Sequence, residues 1–252
     1  MIKIGISGFY GKMGSSIVQH CTQNKGECVI SVGLDKKESI GTAIDKIKRT
    51  YDLDEFCESC DVIIDFSSPE LLQEIIKVNT KHKKPLVSGT SGLSVEQINN
   101  LVELGKLTKV FWCLNMSEGV NLMRKLLTQA TKSLTDSDIE ILETHHNQKK
   151  DAPSGTALLL GNEIAKARNV NLGDVMKTDR NSVRSPSDIG FAVRRGGSVI
   201  GEHTVSFFFG DEVLEITHKA FNRAIFAQGA VKAAVKLFNN PAQFGFFDYI
   251  DL

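Results

Sequence analysis

Ile2-Lys3-Ile4-Gly5-Ile6-Ser7-Gly8-Phe9-Tyr10-Gly11-Lys12-Met13-Gly14 decides how this chain is read. An apolar alternating run ends in glycines and passes into the helical pattern Ser15 to Thr22, so the stretch reads as strand, tight turn and helix. Glycines in such a turn permit positive φ and close backbone approach. The helix start that follows presents free N–H groups and a partial positive charge. The spacing is Gly8-x-x-Gly11-x-x-Gly14, with Tyr10 where a dinucleotide fingerprint usually has its middle glycine. The setting supports that fingerprint: a second strand, Glu27 to Leu34, ends at Asp35, about 20 residues on, where a carboxylate can hold ribose hydroxyls. The alternative is a glycine turn that only packs helix on strand. Lys36 and Lys37 follow Asp35. The carboxylate favours NADH and the lysines suit the 2′-phosphate of NADPH, so the pattern admits both, with a lean to NADH.

Working outward, Cys60 to Ser67, Pro85 to Gly89 and Val110 to Cys113 read as strands. Pro69 opens a helix over Glu70 to His82, and Ser94 begins another. Strands alternating with helices predict a parallel sheet covered on both faces. The pattern changes after about Asn115. Gly119 to Ser133 reads as helix, and Asp138 to Glu143 alternates as a half-exposed strand does. Leu158 to Arg168 is helical, and the polar stretch Leu172 to Ser187 reads as a mobile loop. Ser198 to Phe209 and Glu212 to His218 flank Gly210-Asp211 as a hairpin. Ala224 to Leu237 is an amphipathic helix. The expected fold is α/β: a Rossmann-like parallel-sheet cofactor domain plus an α+β domain with a mixed, mainly antiparallel sheet.

Bulk properties exclude several classes. Lys plus Arg and Asp plus Glu are 30 each among 252 residues, so no basic excess points to a nucleic-acid partner. No window approaches the roughly 20 apolar residues of a membrane helix, and the start lacks the pattern of a signal peptide. Five scattered cysteines, Cys21, Cys28, Cys57, Cys60 and Cys113, suggest reduced thiols in a cytoplasm. Cys57-Glu58-Ser59-Cys60 has CxxC spacing without a second pair, so no metal is expected.

A second stretch carries the chemistry: Glu143-Thr144-His145-His146-Asn147-Gln148-Lys149-Lys150-Asp151-Ala152-Pro153-Ser154-Gly155-Thr156. It follows a strand and leads into a helix whose first residues suit a cap, and such a helix start suits a carboxylate. Two imidazoles and an ammonium lie beside it. They suit a small dianionic substrate whose C=N or C=C accepts a hydride while a nearby group supplies a proton. The plainer alternative is a polar loop.

Here the chain is similar to the signature of a known family, the 4-hydroxy-tetrahydrodipicolinate reductases, also called dihydrodipicolinate reductases. Glu143-x-His145-His146-x-x-Lys149-x-Asp151-Ala152-Pro153-Ser154-Gly155-Thr156-Ala157 carries the likeness. Further blocks follow in order: Gly8 to Gly14, Ile64 to Ser67, Ser88 to Gly92, Asn115 to Asn121, Gly201 to Thr204 and Ile216 to Ala220. The resemblance implies reduction of a cyclic imine-type dicarboxylate to tetrahydrodipicolinate, in diaminopimelate and lysine biosynthesis, by NADH or NADPH. It implies His145 as acid/base residue, Lys149 as proton donor, His146 as substrate contact, and Gly155 and Thr156 as carboxylate ligands. It places the cofactor along Gly8, Phe9, Tyr10, Gly11, Lys12, Met13, Asp35, Lys36, Gly89, Thr90, Ser91, Cys113, Leu114, Asn115 and Met116. It implies a cofactor domain of residues 1–116 and 221–252, a substrate and tetramerisation domain of 117–220, and a homotetramer; charge balance and hydropathy, as above, point to no nucleic-acid or membrane partner. Departures are the short stretch between Asp35 and Cys60, and Ser198 where many relatives carry Asp. A different two-domain reductase has no reason to carry the second stretch, and a non-catalytic nucleotide sensor would not need it.

Overall fold

The structure is a computed structural model and describes residues 1–24, 26–35, 47–179 and 181–247. The chain forms two compact units, Met1–Ser117 with Ala224–Leu252, and Glu118–Arg223.

Among the described residues the first unit is built on seven parallel strands: β1 (Ile2–Ser7), β2 (Cys28–Leu34), β3 (Lys48–Thr50), β4 (Val62–Asp65), β5 (Leu86–Ser88), β6 (Lys109–Trp112) and β12 (Gly245–Phe247). Their spatial order is β12-β6-β5-β4-β1-β2-β3. Ile4, Ile6, Val62, Ile63, Ile64, Leu86, Val87, Val110 and Phe111 are buried, the continuous apolar reading of strands covered on both faces. Helices α1 (Lys12–Gln23), α2 (Leu53–Glu58), α3 (Pro69–His82), α4 (Val95–Leu104) and α8 (Ala224–Asn239) belong to this unit. Ser68 caps α3 with Pro69 in its first turn, and Ser94 with Gln97 forms a capping box on α4. An added Cβ at Gly229 of α8 would collide with the Met116 carbonyl, so a glycine lets α8 seat against the end of this unit's first segment.

The second unit holds α5 (Glu118–Ser133), β7 (Asp138–His145), α6 (Gly155–Ala167), α7 (Leu172–Val175), β8 (Met176–Lys177), β9 (Ile189–Arg195), β10 (Gly201–Phe209) and β11 (Glu212–Ala220). Its sheet runs β11-β10-β7-β9-β8. β10 pairs antiparallel with β11 and β7, while β9 pairs parallel with β7 and β8. The hairpin turns at Gly210, whose φ of 55° is glycine territory, and pairs Phe209 with Glu212. Val120, Leu127, Ile139, Ile141, Leu160, Ile164, Phe191, Val205 and Phe207 close one core between helices and sheet.

Several expectations change. Leu172 to Ser187 is not a plain loop: it opens with α7, capped by the Asn171 side chain, and β8 adds a strand at the sheet edge. β3, β12 and α2 were not anticipated, being too short to show a period; β9 was missed because its exposed half is polar. Helix α1 starts at Lys12 rather than Ser15, so Gly14 lies within its first turn. Cys57 and Cys60 are buried in the core, where burial pushes their thiols up to about 11 and about 12. All five cysteines are free.

Candidate active site

In the first unit the residues expected at a cofactor gather at the carboxyl ends of the parallel strands. Gly8 leaves β1 at φ 74°, and a Cβ there would run into the Phe66 backbone. Gly11 is the residue before α1; among the described residues no side chain caps that helix, and its first turn carries no acidic group. Such a start leaves N–H groups and the positive end of the helix dipole available to an anion. A Cβ at Gly14 would lie 2.6 Å from the Phe9 carbonyl, so the helix closes on the turn only because this residue has no side chain.

Asp35 accepts a hydrogen bond from the Tyr10 backbone N–H at 2.9 Å, which ties the end of β2 to the glycine turn. Phe9 is buried in the core and meets Tyr10 edge-on at 5.2 Å, so its contribution to the turn's surface is backbone. Lys12 is exposed and Met13 half-buried in the first helical turn. Lys36 lies outside the described residues.

The next two loops are joined by Asp65, a buried carboxyl that the sequence reading assigned no role. It accepts from Ser67 Oγ, from Ser88 Oγ at 2.8 Å and from Thr90 Oγ1 at 2.7 Å. Burial raises its pKa, with these hydroxyl bonds opposing. Gly89 packs against the Phe66 ring, Thr90 is buried and Ser91 is exposed. Beyond β6, Cys113, Asn115 and Met116 are buried and Leu114 is half exposed. Asn115 Oδ1 receives the Ser117 N–H at 2.9 Å.

In the second unit, β7 alternates cleanly, with Ile139, Ile141, Glu143 and His145 on its buried face. The same face therefore passes from core residues to ionisable ones at the strand's end. His145 Nδ1 is hydrogen-bonded to Glu143 Oε2. Glu143 Oε1 accepts the Ser154 backbone N–H at 2.9 Å and Arg195 Nη2 at 2.9 Å. Burial alone would raise the Glu143 pKa, but Arg195, the Ser154 N–H and His145 outweigh it and hold the carboxyl below its ordinary range. Burial lowers the His145 pKa, with Glu143 pulling the other way.

Ser154 is the cap of α6: its hydroxyl accepts the Ala157 N–H at 3.1 Å and lies 3.1 Å from His203 Nε2. Burial pushes His203 down to about 4, and its ring meets that of His145 edge-on at 5.1 Å. Gly155 and Thr156 are the first residues of α6, and the space where a Gly155 side chain would stand is open. Lys149 Nζ pairs with the Asp151 carboxylate at 2.8 Å, and His146 Nε2 lies 3.2 Å from Arg223 Nη2. His145, His146, Lys149, Gly155 and Thr156 thus sit around one strand end and one helix start. Glu143, Arg195, His203 and Arg223 join them; Glu143 and His203 lie in the quoted motif blocks, but the sequence alone gives none of the four a role. Glu143, His145 and His203 each offer an atom within 4.8 Å of the others, but two N–H donors occupy Glu143 Oε1 and the His145 ring is bonded to Oε2, so the trio reads as a hydrogen-bonded network.

Comparisons with known proteins agree across the whole chain. Two family models, described as dihydrodipicolinate reductase N-terminus and C-terminus, match residues 2–116 and 119–252. A 4-hydroxy-tetrahydrodipicolinate reductase of Rickettsia rickettsii (strain Sheila Smith) is 40% identical over 242 residues, covering 96% of this chain and 95% of the relative. One from Campylobacter curvus (strain 525.92) is 42% identical over 240 residues, 94% of each. A solved structure, dipicolinate-bound dihydrodipicolinate reductase from Paenisporosarcina sp. TG-14, shares the fold with TM-score 0.83 at 23% identity, covering 100% of this chain and 98% of that one.

Proposed function

This chain belongs to the dihydrodipicolinate reductase family, and from that premise we propose that it reduces 4-hydroxy-tetrahydrodipicolinate to tetrahydrodipicolinate in lysine and diaminopimelate biosynthesis. The observation that carries the reading is the buried His145–Glu143 pair beside the Ser154-capped start of α6. Replacing a ring hydroxyl by hydrogen consumes one hydride and one proton and releases water. NADH or NADPH supplies the hydride when bound. The start of α1 fits its pyrophosphate, because the entry is glycine and no side chain among the described residues caps it. Gly8 to Met13, Asp35, Gly89 to Ser91 and Cys113 to Met116 would hold the rest.

The protein's own residues manage charge and protons. Gly155 and Thr156 receive one substrate carboxylate at the α6 start, where the dipole is positive and no acidic residue lies in the first turn. His146 and Arg223 supply polar contacts, with cationic charge on the guanidinium, for the substrate's other polar groups. His145 acts as acid/base group, and Lys149 delivers a proton and steadies negative charge. Its pairing with Asp151 holds the ammonium beside the loop.

The reading extends to a cytoplasmic homotetramer joined through the second sheet. Exposed Phe208, Val213 and Leu214 on the β10–β11 hairpin support that association. Among the described residues no helix is long and apolar enough to cross a membrane.

The test is consumption of NADH and of NADPH, titrated in parallel, when purified protein is given the freshly made product of the preceding synthase. Oxidation above background is expected. Folded protein that binds NADH but oxidises none overturns the reading. Light scattering in solution checks the tetramer.

A further inference from the structure

Glu143 has no part in proton transfer as described above, yet it joins three elements. It is 1% exposed and lies on the inward phase of β7. Its Oε2 takes the His145 imidazole, and its Oε1 takes both the backbone N–H of Ser154 and Arg195 Nη2, each at 2.9 Å. Arg195, on β9, also donates to the Asp151 carbonyl at 2.7 Å. One carboxylate therefore cross-ties the strand end that carries His145, the segment that carries Lys149 and Asp151, and the entrance to α6.

We propose that Glu143 is the positioning residue of the proton-transfer site: it fixes the proton of neutral His145 on Nδ1, presents Nε2 for reaction, and locks that ring to the α6 entrance. The proposal rests on the reading of His145 as the acid/base group. Two further observations support it. The Ser154 N–H and the Arg195 guanidinium can only donate, so Oε1 must accept, and an ionised carboxylate leaves Oε2 as an acceptor too. The nitrogen facing Oε2 must then carry a proton. On the far side of the ring, a Cβ at Gly201 would lie 3.1 Å from Nε2, so a glycine keeps that nitrogen clear.

Glu143→Gln makes the consequence readable. An amide has one acceptor and one donating end. Two donors, Ser154 N–H and Arg195, claim the oxygen, so the NH₂ faces Nδ1 and forces the imidazole proton to Nε2. Imidazolium then meets a donor against a donor. The charges facing His145 are Glu143 from β7, Lys149 from the loop after it and Arg195 from β9; His203 from β10 meets its ring edge-on. Removing Glu143's charge leaves the two cations and burial, all of which disfavour protonated His145.

The test pairs nitrogen-15 NMR of the imidazole with pH profiles of kcat and kcat/KM. Wild-type His145 is expected as the Nδ1–H tautomer when neutral. In Glu143→Gln the tautomer moves to Nε2–H, kcat falls on the order of 10²-fold, the His145 limb moves to lower pH, and NADH affinity is unchanged. Glu143→Asp, which restores a carboxylate, brings tautomer and limb back toward wild type. A wild-type Nε2–H tautomer overturns the proposal, and that measurement needs no folded variant. An unshifted limb in Glu143→Gln overturns it as well. Absence of reductase activity in wild type, with the Nδ1–H tautomer intact, overturns the functional reading and leaves the positioning intact.

Discussion

Helices α1 and α6 are both proposed to receive an anion at their N-termini, and they are entered in opposite ways. The α1 entrance is made of backbone space: Gly8 and Gly14 leave out side chains that would strike carbonyls, Gly11 one that would crowd the Gly8 carbonyl, and no side chain among the described residues caps it. The α6 entrance is made of side chains: Ser154 caps it, Glu143 holds the Ser154 N–H, and His203 meets the Ser154 hydroxyl. A site made by leaving atoms out should fail on the addition of a methyl group and be indifferent to pH. One made by hydrogen bonds among ionisable groups should tolerate volume better and respond to protons.

The largest effect is expected at the glycine entrance. Gly14→Ala sets a Cβ 2.6 Å from the Phe9 carbonyl, and backbone on both sides leaves little to yield. We expect a loss of about 3 kcal/mol or more in urea unfolding, with NADH binding weakened on the order of 10²-fold. An unchanged unfolding midpoint and unchanged NADH titration would break the contrast at its first term.

The second effect is pH dependence at the other entrance. His203 is buried and its folded pKa is lowered to about 4 from 6.5, so the unfolded chain binds the proton more readily. Its stabilising contribution is full above about 6.5 and is lost as pH falls through about 4, a span worth ~3 kcal/mol. Unfolding of wild type and His203→Asn at pH 7 and at pH 4.5 should show a smaller acid loss in the variant. Equal losses would count against His203 as the source.

Third comes chemistry without architecture. His145→Gln should lower turnover about 10²-fold, or about 2.7 kcal/mol of barrier, while NADH affinity stays put. Full turnover would remove His145 from proton transfer. The smallest effect is Ser154→Ala, which deletes the α6 cap for about 1 kcal/mol and should raise KM for the dicarboxylate without changing NADH binding. A change confined to NADH binding would assign Ser154 to the wrong entrance.

The two entrances also differ in how far the sequence revealed them. Glycines at 8, 11 and 14 sit in one short window, so the turn and its neighbour Asp35 were readable locally; the bond from Tyr10 N–H to Asp35 needed the fold. For the second entrance the motif named His145 and Lys149, but their partners lie far along the chain. Arg195 is 52 residues from Glu143 and His203 is 49 from Ser154, brought in by the pairing of β9 and β10 with β7. Glu143 did leave a signal. Ile139 and Ile141 set the inward phase of β7, and two more residues along that phase reach Glu143, a carboxylate where apolar side chains belong. A polar residue on a buried phase reads locally as a strand ending in solvent, and only the donors stacked on it explain its burial. The β3 and β12 strands were invisible for a plainer reason: three residues do not complete a period.

The glycine contact between α8 and the Met116 carbonyl has a consequence for modularity. The polypeptide leaves the first unit after Ser117 and re-enters it at Ala224, and Met116 and Gly229 pin exit and return to one spot on that unit. The second unit is thus an excursion from the first, whose two segments meet where it departs and returns. Residues 118–223 can therefore be varied in length or content while every strand of the parallel sheet keeps its neighbours.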